Sequence, residues 1–583
     1  MKNIKTLLIV LSLCFWSCEK AFLDKEPLDI ISDPIVWQDP NLIDAYLADL
    51  YFRTDFMELR GNLGEQTSLA MIASMGGEGR SFGAHHQSYQ ASTNVITSAG
   101  VPDELEYWKY NIVRDINYFL EQIQGSPLDQ EVVEQKSAEA RFLRSYIYFQ
   151  MVIRYGGVPI ITIAQSPDAP KEEIYVSRNS EKEVYDFIIS EMESLAQILP
   201  PDQGTDGRGK PTKWAAYALQ SRAALYAASI AEFGEIQLNG LLGFPSSDVD
   251  EYAQISYNAS KAILESGFHE LYETIADPVK NYQNLFLDES AANREVIMAE
   301  VYDYGKNRAH AWSLRAMPHP FNNTWVNQMY LYDFIERFEF ADGRPGNSIS
   351  RNDLVSQEWG VDELWGNRDP RFKASVFYPE SPWQGDKVYI HSKTIRNGEE
   401  LTAGVAEDGW PYKAENRNTL RTGFMVRKRT NENMTPEAGV ISDDTDYIIF
   451  RVGEIYLNLA EAAFYLNRQD EALNALNRLR ERADMPPKTE ITMDIIQNER
   501  LVELTFENHS YWDIRRWRIA EDVLDGVRMK GLQYTYNYDT KKYQINIINA
   551  EGVPRIFQPR NYYLPLGVNR LSENPNLEKN PDY

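Results

Sequence analysis

The sequence predicts a mainly α-helical protein: a tetratricopeptide-like scaffold of helical hairpins carrying an inserted loop-rich, partly β lobe. Three observations support this. Apolar residues recur at helical spacing in two consecutive runs between Tyr447 and Ala483. A stretch from Glu131 to Tyr155 is apolar over a broad face, as a helix buried on most sides must be. From about 270 to 445 the periodicity gives way to Gly, Pro, Asn and Asp with short β-like runs, as in an insertion between helical halves.

The late hairpin is the clearest element. Val452, Ile455, Tyr456, Leu459, Ala463 and Leu466 share one helix face. After the Asn467–Asp470 turn, Ala472, Ala475, Leu476, Leu479 and Ala483 repeat the pattern, and Pro486-Pro487 ends it. Two such helices with small residues at their contact match a helical repeat of about 34 residues. Segments 104–155 and 180–233 read as degenerate versions, with further helices expected at 41–59, 250–266 and 494–508. The segment to Tyr155 stops at Gly156-Gly157, with Pro159 beyond.

The N-terminus has a different character. Lys2 and Lys5 precede an apolar run from Thr6 to Trp16, then Ser17-Cys18, the order of a secretory signal. That run is about half the ~20 residues needed to cross a bilayer. Both cysteines of the chain, Cys14 and Cys18, lie here. Cleavage before Cys18 leaves one thiol at the new terminus and no internal disulfide, so the reading is lipidation of Cys18, with Cys14 the alternative. The expected organisation is a signal peptide at 1–17, a helical scaffold at 18–270, the lobe at 271–445, and a helical scaffold with tail at 446–583.

Net charge is −27, which argues against nucleic acid as a partner, because phosphate binding needs clustered cations. Glu499, Glu503 and Glu507 stand at i, i+4 and i+8, so they must repel unless compensated. A metal or acid–base site is one reading. The reading preferred is ion pairing with Arg515, Arg516 and Arg518 in the scaffold. His-Glu-x-x-His, Gly-x-Ser-x-Gly and phosphate-binding Gly loops are absent, so no enzyme, cofactor or metal is expected. Asp443-Asp444-Thr445-Asp446 is read as capping the helix that follows.

Several segments together resemble the SusD/RagB family of outer-membrane nutrient-binding lipoproteins, over nearly the whole chain. They are Cys18 to Asp24 with Pro27, Ala138 to Arg144 continuing to Arg154-Tyr155-Gly156-Gly157-Val158-Pro159, and Arg368-Asp369-Pro370-Arg371-Phe372. Arg451 to Ala462, Asn498 to Phe506, Trp512 to Trp517 and the Asn561–Pro565 tail complete the set. Asn508-His509-Ser510 and Gly567-Val568 depart from the family pattern within scaffold segments. The resemblance implies a lipid-anchored protein on the outer face of the outer membrane in Bacteroidota-type bacteria. It implies a lid on a SusC-like TonB-dependent β-barrel transporter, capturing oligosaccharides or polysaccharides for import without enzymatic activity.

A sugar site needs aromatic faces beside short polar groups. Two loops offer that mixture. Segment 74–102 supplies Arg80, His86, Tyr89 and Asn94, and segment 302–330 supplies Tyr304, Trp312, His319, Asn322 and Trp325. Trp108 and Trp512 are expected to pack the scaffold instead. Two other functions compete with glycan capture. A two-lobed solute-binding protein would need alternating strands and helices. A surface glycosidase would need two carboxylates about 5–9.5 Å apart in an aromatic cleft.

Overall fold

The helices of the computed structural model fall where the 3.6-residue periodicity puts them. It describes residues 33–56, 71–81, 87–102, 105–166, 168–204, 207–321, 328–401, 421–435 and 440–583. The scaffold helices are α1 (Pro40–Thr54), α2 (Tyr110–Gln122), α3 (Gln130–Tyr155), α4 (Glu181–Ile198), α5 (Lys213–Phe233) and α6 (Val249–Leu264). After the lobe come α7 (Val452–Tyr465), α8 (Gln469–Arg482), α9 (Met493–Glu503) and α10 (Ser510–Arg516). From α2 to α8, each of these helices packs on the next in chain order. The stack is therefore the mainly α, tetratricopeptide-like solenoid expected, and α6 meets α7 directly although the whole lobe separates them in sequence.

Local chemistry explains the boundaries. At the start of α4, Ser180 accepts from the Glu183 amide while the Glu183 carboxylate accepts from the Ser180 amide, a capping box. Thr212 and Thr492 cap α5 and α9 with the hydroxyl alone, accepting from the Ala215 and Ile495 amides. Helix α1 ends earlier than the expected 59, because Asp55 turns into the left-handed region at φ 59°. α2 begins at Tyr110 rather than 104, so Trp108 precedes the helix and packs its ring 5.2 Å from that of Tyr155.

α5 is the centre of the stack. Its Ala positions 215, 216, 218, 223, 224, 227, 228 and 231 are all buried, which lets α4 and α6 approach on opposite sides. Hydroxyls fill the remaining polar needs: Ser221 lies 2.8 Å from the Ser260 hydroxyl. Arg222, also buried here, donates through two nitrogens to the Glu454 carboxylate, both at 2.6 Å, tying α5 to α7.

The insertion is closed at its neck. Of the short strands β1 (Gly79–Arg80), β2 (Val296–Glu300), β3 (Met329–Tyr330) and β4 (Tyr447–Arg451), β2 and β4 do this work. β2 and β4 pair antiparallel, Glu300 opposite Tyr447 and Val296 opposite Arg451, so the lobe leaves and rejoins the scaffold side by side. The lobe's main sheet runs in the order 542–549, 530–537, 393–396, 399–401, drawing a hairpin from the C-terminal region.

The carboxylate stripe corrects one expectation. α9 ends at Glu503, and Phe506 and Asn508 both have positive φ, so Glu507 reaches the cluster from a turn. Its partners, like those of Glu499 and Glu503, are not Arg515, Arg516 and Arg518. Glu499 bonds Arg371 at 2.5 Å and Arg480 at 2.9 Å. Glu503 bonds Arg371 at 3.0 Å, Arg451 at 2.8 Å and also Arg482. Glu507 bonds Arg451 at 2.7 Å and Lys428 at 2.6 Å. Arg516 instead serves Glu461 and Asp513, Arg515 serves the Ile153 and Tyr562 carbonyls, and Arg518 donates to the Tyr563 hydroxyl. The role is structural, as expected, but the cations come from the lobe (Arg371, Lys428), from the end of β4 (Arg451) and from α8 (Arg480, Arg482). The buried lattice therefore bolts lobe to scaffold.

Candidate ligand-binding face

The two loops chosen from sequence meet. β1 and β3 form a two-residue antiparallel ladder, Gly79 opposite Tyr330 and Arg80 opposite Met329, and the Leu331 amide donates to the Glu78 carbonyl at 3.0 Å. Glycine is required at 79, since a Cβ there would lie 2.3 Å from the Met329 carbonyl oxygen. The first loop is also tied to 550–555. Arg555 donates to the Ser74 carbonyl at 2.7 Å, and Arg80 donates to the Ala550 carbonyl.

The candidate side chains divide by burial. Arg80 is buried, donates through Nε to the Ser81 carbonyl at 2.9 Å, and lies 5.2 Å from the Tyr89 ring centre. Burial lowers its pKa to about 10. Its role here is to order the loop, a correction to its choice as a ligand contact. Tyr89 is partly exposed, and its hydroxyl accepts from the Gly552 amide at 3.1 Å. Asn94, just past the helix Gln87–Thr93, is exposed.

On the second loop, Tyr304 is 50% exposed. Trp312 corrects the sequence reading. It is 1% exposed, its indole N–H donates to the Lys428 carbonyl at 2.9 Å, and the Arg429 guanidinium covers its ring at 4.3 Å. No face is left for a sugar. His319 is buried as well. His86, Asn322 and Trp325 lie outside the described residues. Arg80 and Tyr89 are brought together, whereas Tyr304 and Trp312 share a loop but not a face.

Sequence reasoning missed the groups that shape this loop. Asp443 accepts from the Ser313 amide at 2.8 Å, and Asp446 accepts from the Tyr302 amide at 2.9 Å. His310 donates from Nε2 to the Thr445 carbonyl at 2.8 Å and accepts at Nδ1 from the Trp312 amide at 3.2 Å, so it is the neutral tautomer. Burial, the largest influence, holds its pKa below the usual value. Burial likewise pushes the Asp446 carboxyl up to about 7. The 443–446 turn is thus a clamp on the 302–313 loop and does not cap α7, whose N-cap residue is Arg451. Its run of carboxylates was the visible signal, assigned to the wrong neighbour.

Among the described residues, no three His, Cys, Asp or Glu side chains form a group able to hold a metal. No helix among them is long and apolar enough to cross a membrane.

A helical-hairpin scaffold with an inserted lobe and two loops joined at its face is the fold of the SusD-like structures on which the chain superposes. The chain belongs to the SusD/RagB family. The SusD family model matches residues 294–583, and a model described as starch-binding, associating with the outer membrane, matches 22–225. SusD-like protein P25 of Formosa agariphila is 22% identical over 94% of this chain and 95% of its own. The starch-binding protein SusD of Bacteroides thetaiotaomicron is 24% identical over 81% of this chain and 76% of its own. A SusD-like protein from Bacteroides fragilis superposes with a TM-score of 0.71 at 24% identity, covering 96% of this chain and 100% of its own. A laminarin-binding SusD-like protein superposes with a TM-score of 0.59 at 16% identity, over 94% and 100%.

Proposed function

We propose that this chain is a cell-surface glycan-binding lipoprotein that captures oligosaccharides and passes them to a SusC-like TonB-dependent outer-membrane transporter. The reading rests on one observation: both halves of the chain match SusD-type family models, one of them described as starch-binding and outer-membrane-associating. Names of relatives, a starch-binding protein and a laminarin-binding one, point the same way and describe binding rather than catalysis. Ligand capture falls to exposed Tyr304 and Asn94 and to the open edge of Tyr89.

The protein is expected to be retarded in native gels containing one or more of a panel of polysaccharides. Tyr304→Ala should weaken that binding about three- to tenfold, the worth of one aromatic contact. Undiminished retardation would remove Tyr304 from the site, and release of sugar by the pure protein would refute a purely binding role.

Anchoring is proposed through acyl chains on Cys18. Each buried methylene contributes about 0.8 kcal/mol, so several chains hold a protein on the bilayer for its lifetime. Cys18→Ser should therefore move the exported protein from the membrane pellet to the soluble fraction. Persistence in the pellet, with Cys14 intact, would shift the anchor to Cys14.

A further inference from the structure

Around Tyr89 the charge of the surface runs against that of the chain. The Tyr89 hydroxyl accepts from the Gly552 amide at 3.1 Å, and the Gly552 carbonyl accepts from Arg528, which is exposed. Tyr89 and Arg528 thus meet on the backbone of one residue. Buried Arg80 donates to the Ala550 carbonyl and lies 5.2 Å from the Tyr89 ring centre. Exposed Arg421 stands close by: its backbone abuts Gly531, the hairpin partner of Ile548, and its charge is the strongest cationic influence on Arg80. Lys530, next to Gly531, donates to the Asn549 side chain at 2.7 Å.

The acids of this region are engaged, and three of its cations are not balanced by any. Glu551 is buried and held by two nitrogens of Arg555, at 2.7 and 3.0 Å. Glu78 is 1% exposed. Asp333 pairs with Arg351 at 2.8 Å, and Asp525 accepts from the Phe557 amide at 2.9 Å. Arg528 and Lys530 reach only neutral acceptors. Among the described residues, no carboxylate lies within 4.0 Å of Arg421, Arg528 or Lys530. A guanidinium with open donors matches the paired oxygens of a carboxylate or sulfate. In a chain of net charge −27, such cations beside an aromatic edge are a local inversion of sign.

We propose that the glycan captured at this face is anionic, with its sulfate or carboxylate groups taken by Arg421 and Arg528 beside the Tyr89 ring. This rests on the glycan-binding reading and adds the substrate class to it. Sulfate esters and uronic acids present the same charged oxygens to these arginines.

The test is calorimetric titration of the full mature protein with charged polysaccharides and their neutralised forms. Carrageenan and dextran sulfate are compared with their desulfated products, and alginate and polygalacturonate with their carboxyl-reduced products. At least one charged form should bind, and binding should fall about tenfold or more once its charge is removed, the value of a hydrogen bond to a charged group. Loss on desulfation identifies a sulfate ester, and loss on carboxyl reduction a uronate. Arg421→Gln and Arg528→Gln should each weaken binding about three- to fivefold, as loss of an exposed ion pair does. The double variant should also flatten the weakening of binding by added salt. Both positions are exposed, so melting temperatures should match the parent's. Arg344→Gln removes an equal charge from an exposed arginine paired with Asp342 and should leave binding unchanged. The anionic class is overturned, with glycan capture left standing, if neutralised forms bind as well as charged ones. It is overturned likewise if the double variant binds as the parent does, or if Arg344→Gln weakens binding equally. Failure of every polysaccharide, charged or neutral, to bind would overturn the glycan reading itself and this class with it.

Discussion

Replacing Glu503 by Ala is expected to destabilise the protein by about 3–5 kcal/mol, the cost of breaking a buried ion pair from one side. Glu503 is fully buried and accepts from Arg371, Arg451 and Arg482. Its removal takes the shared carboxylate from three buried guanidiniums, which keep Glu499, Glu507 and Glu295 as partners but are left with too little negative charge where water cannot reach. Against a typical total of 5–15 kcal/mol, that loss is large. It should appear in thermal unfolding at neutral pH as the lobe and the α7–α9 region losing structure together. Glu503→Gln should cost nearly as much, because it keeps the shape and loses the charge. A stability within about 1 kcal/mol of the parent would show that the arginines are hydrated in solution, and so refute a buried lattice.

The same cluster sets the acid limit. Burial alone would raise the Glu503 carboxyl, but Arg482, Arg451 and Arg371 outweigh it and hold its pKa well below the usual range. Glu499 and Glu507 are lowered for the same reason by their own cations. A depressed folded pKa gives stability that is present above the unfolded value, about 4.3, and lost as pH falls through the folded one. The lattice therefore supports the fold throughout the neutral range and fails in acid.

How much of this was readable in advance depends on the sequence distance over which each feature is decided. The helices were readable because their evidence is local: the α7–α8 face repeats within 3–4 residues, and the Ser180–Glu183 box is one turn long. The need to neutralise the Glu499–Glu507 stripe was readable for the same reason. Its partners were not, since Arg371 stands 128 residues from Glu499, and pairing the stripe with nearby Arg515 was the natural local choice. Trp312 shows the same limit. An indole in a polar loop looks alike whether it faces a ligand or the core, and here the Asp443 clamp, 130 residues from Ser313, turned it inward. Tyr304, a few positions earlier on that loop, stayed outside.

Glu78→Gln is expected to stabilise the protein, and increasingly so as pH rises. Glu78 precedes the β1/β3 ladder, is 1% exposed, and accepts the Phe506 amide on one oxygen at 3.0 Å, while the other oxygen is buried without a hydrogen-bond partner. Burial, the dominant influence, pushes its pKa to about 8; the Phe506 amide, the neighbouring Ser510 hydroxyl and the charge of Lys428 pull it down by less. Below about pH 4 both folded and unfolded states hold the proton, and Glu78 costs nothing. Between there and pH 8 the unfolded chain ionises while the folded one does not, so stability falls with rising pH. At about 1.4 kcal/mol per pH unit, the penalty reaches about 3 kcal/mol near neutrality. Glutamine keeps the acceptor for Phe506 and cannot ionise, so parent and variant should unfold alike near pH 4 and diverge by that amount by pH 7. A difference in melting temperature that stays constant across the range would mean that Glu78 titrates as an ordinary surface carboxyl, and that the ladder joining the two loops is open to water.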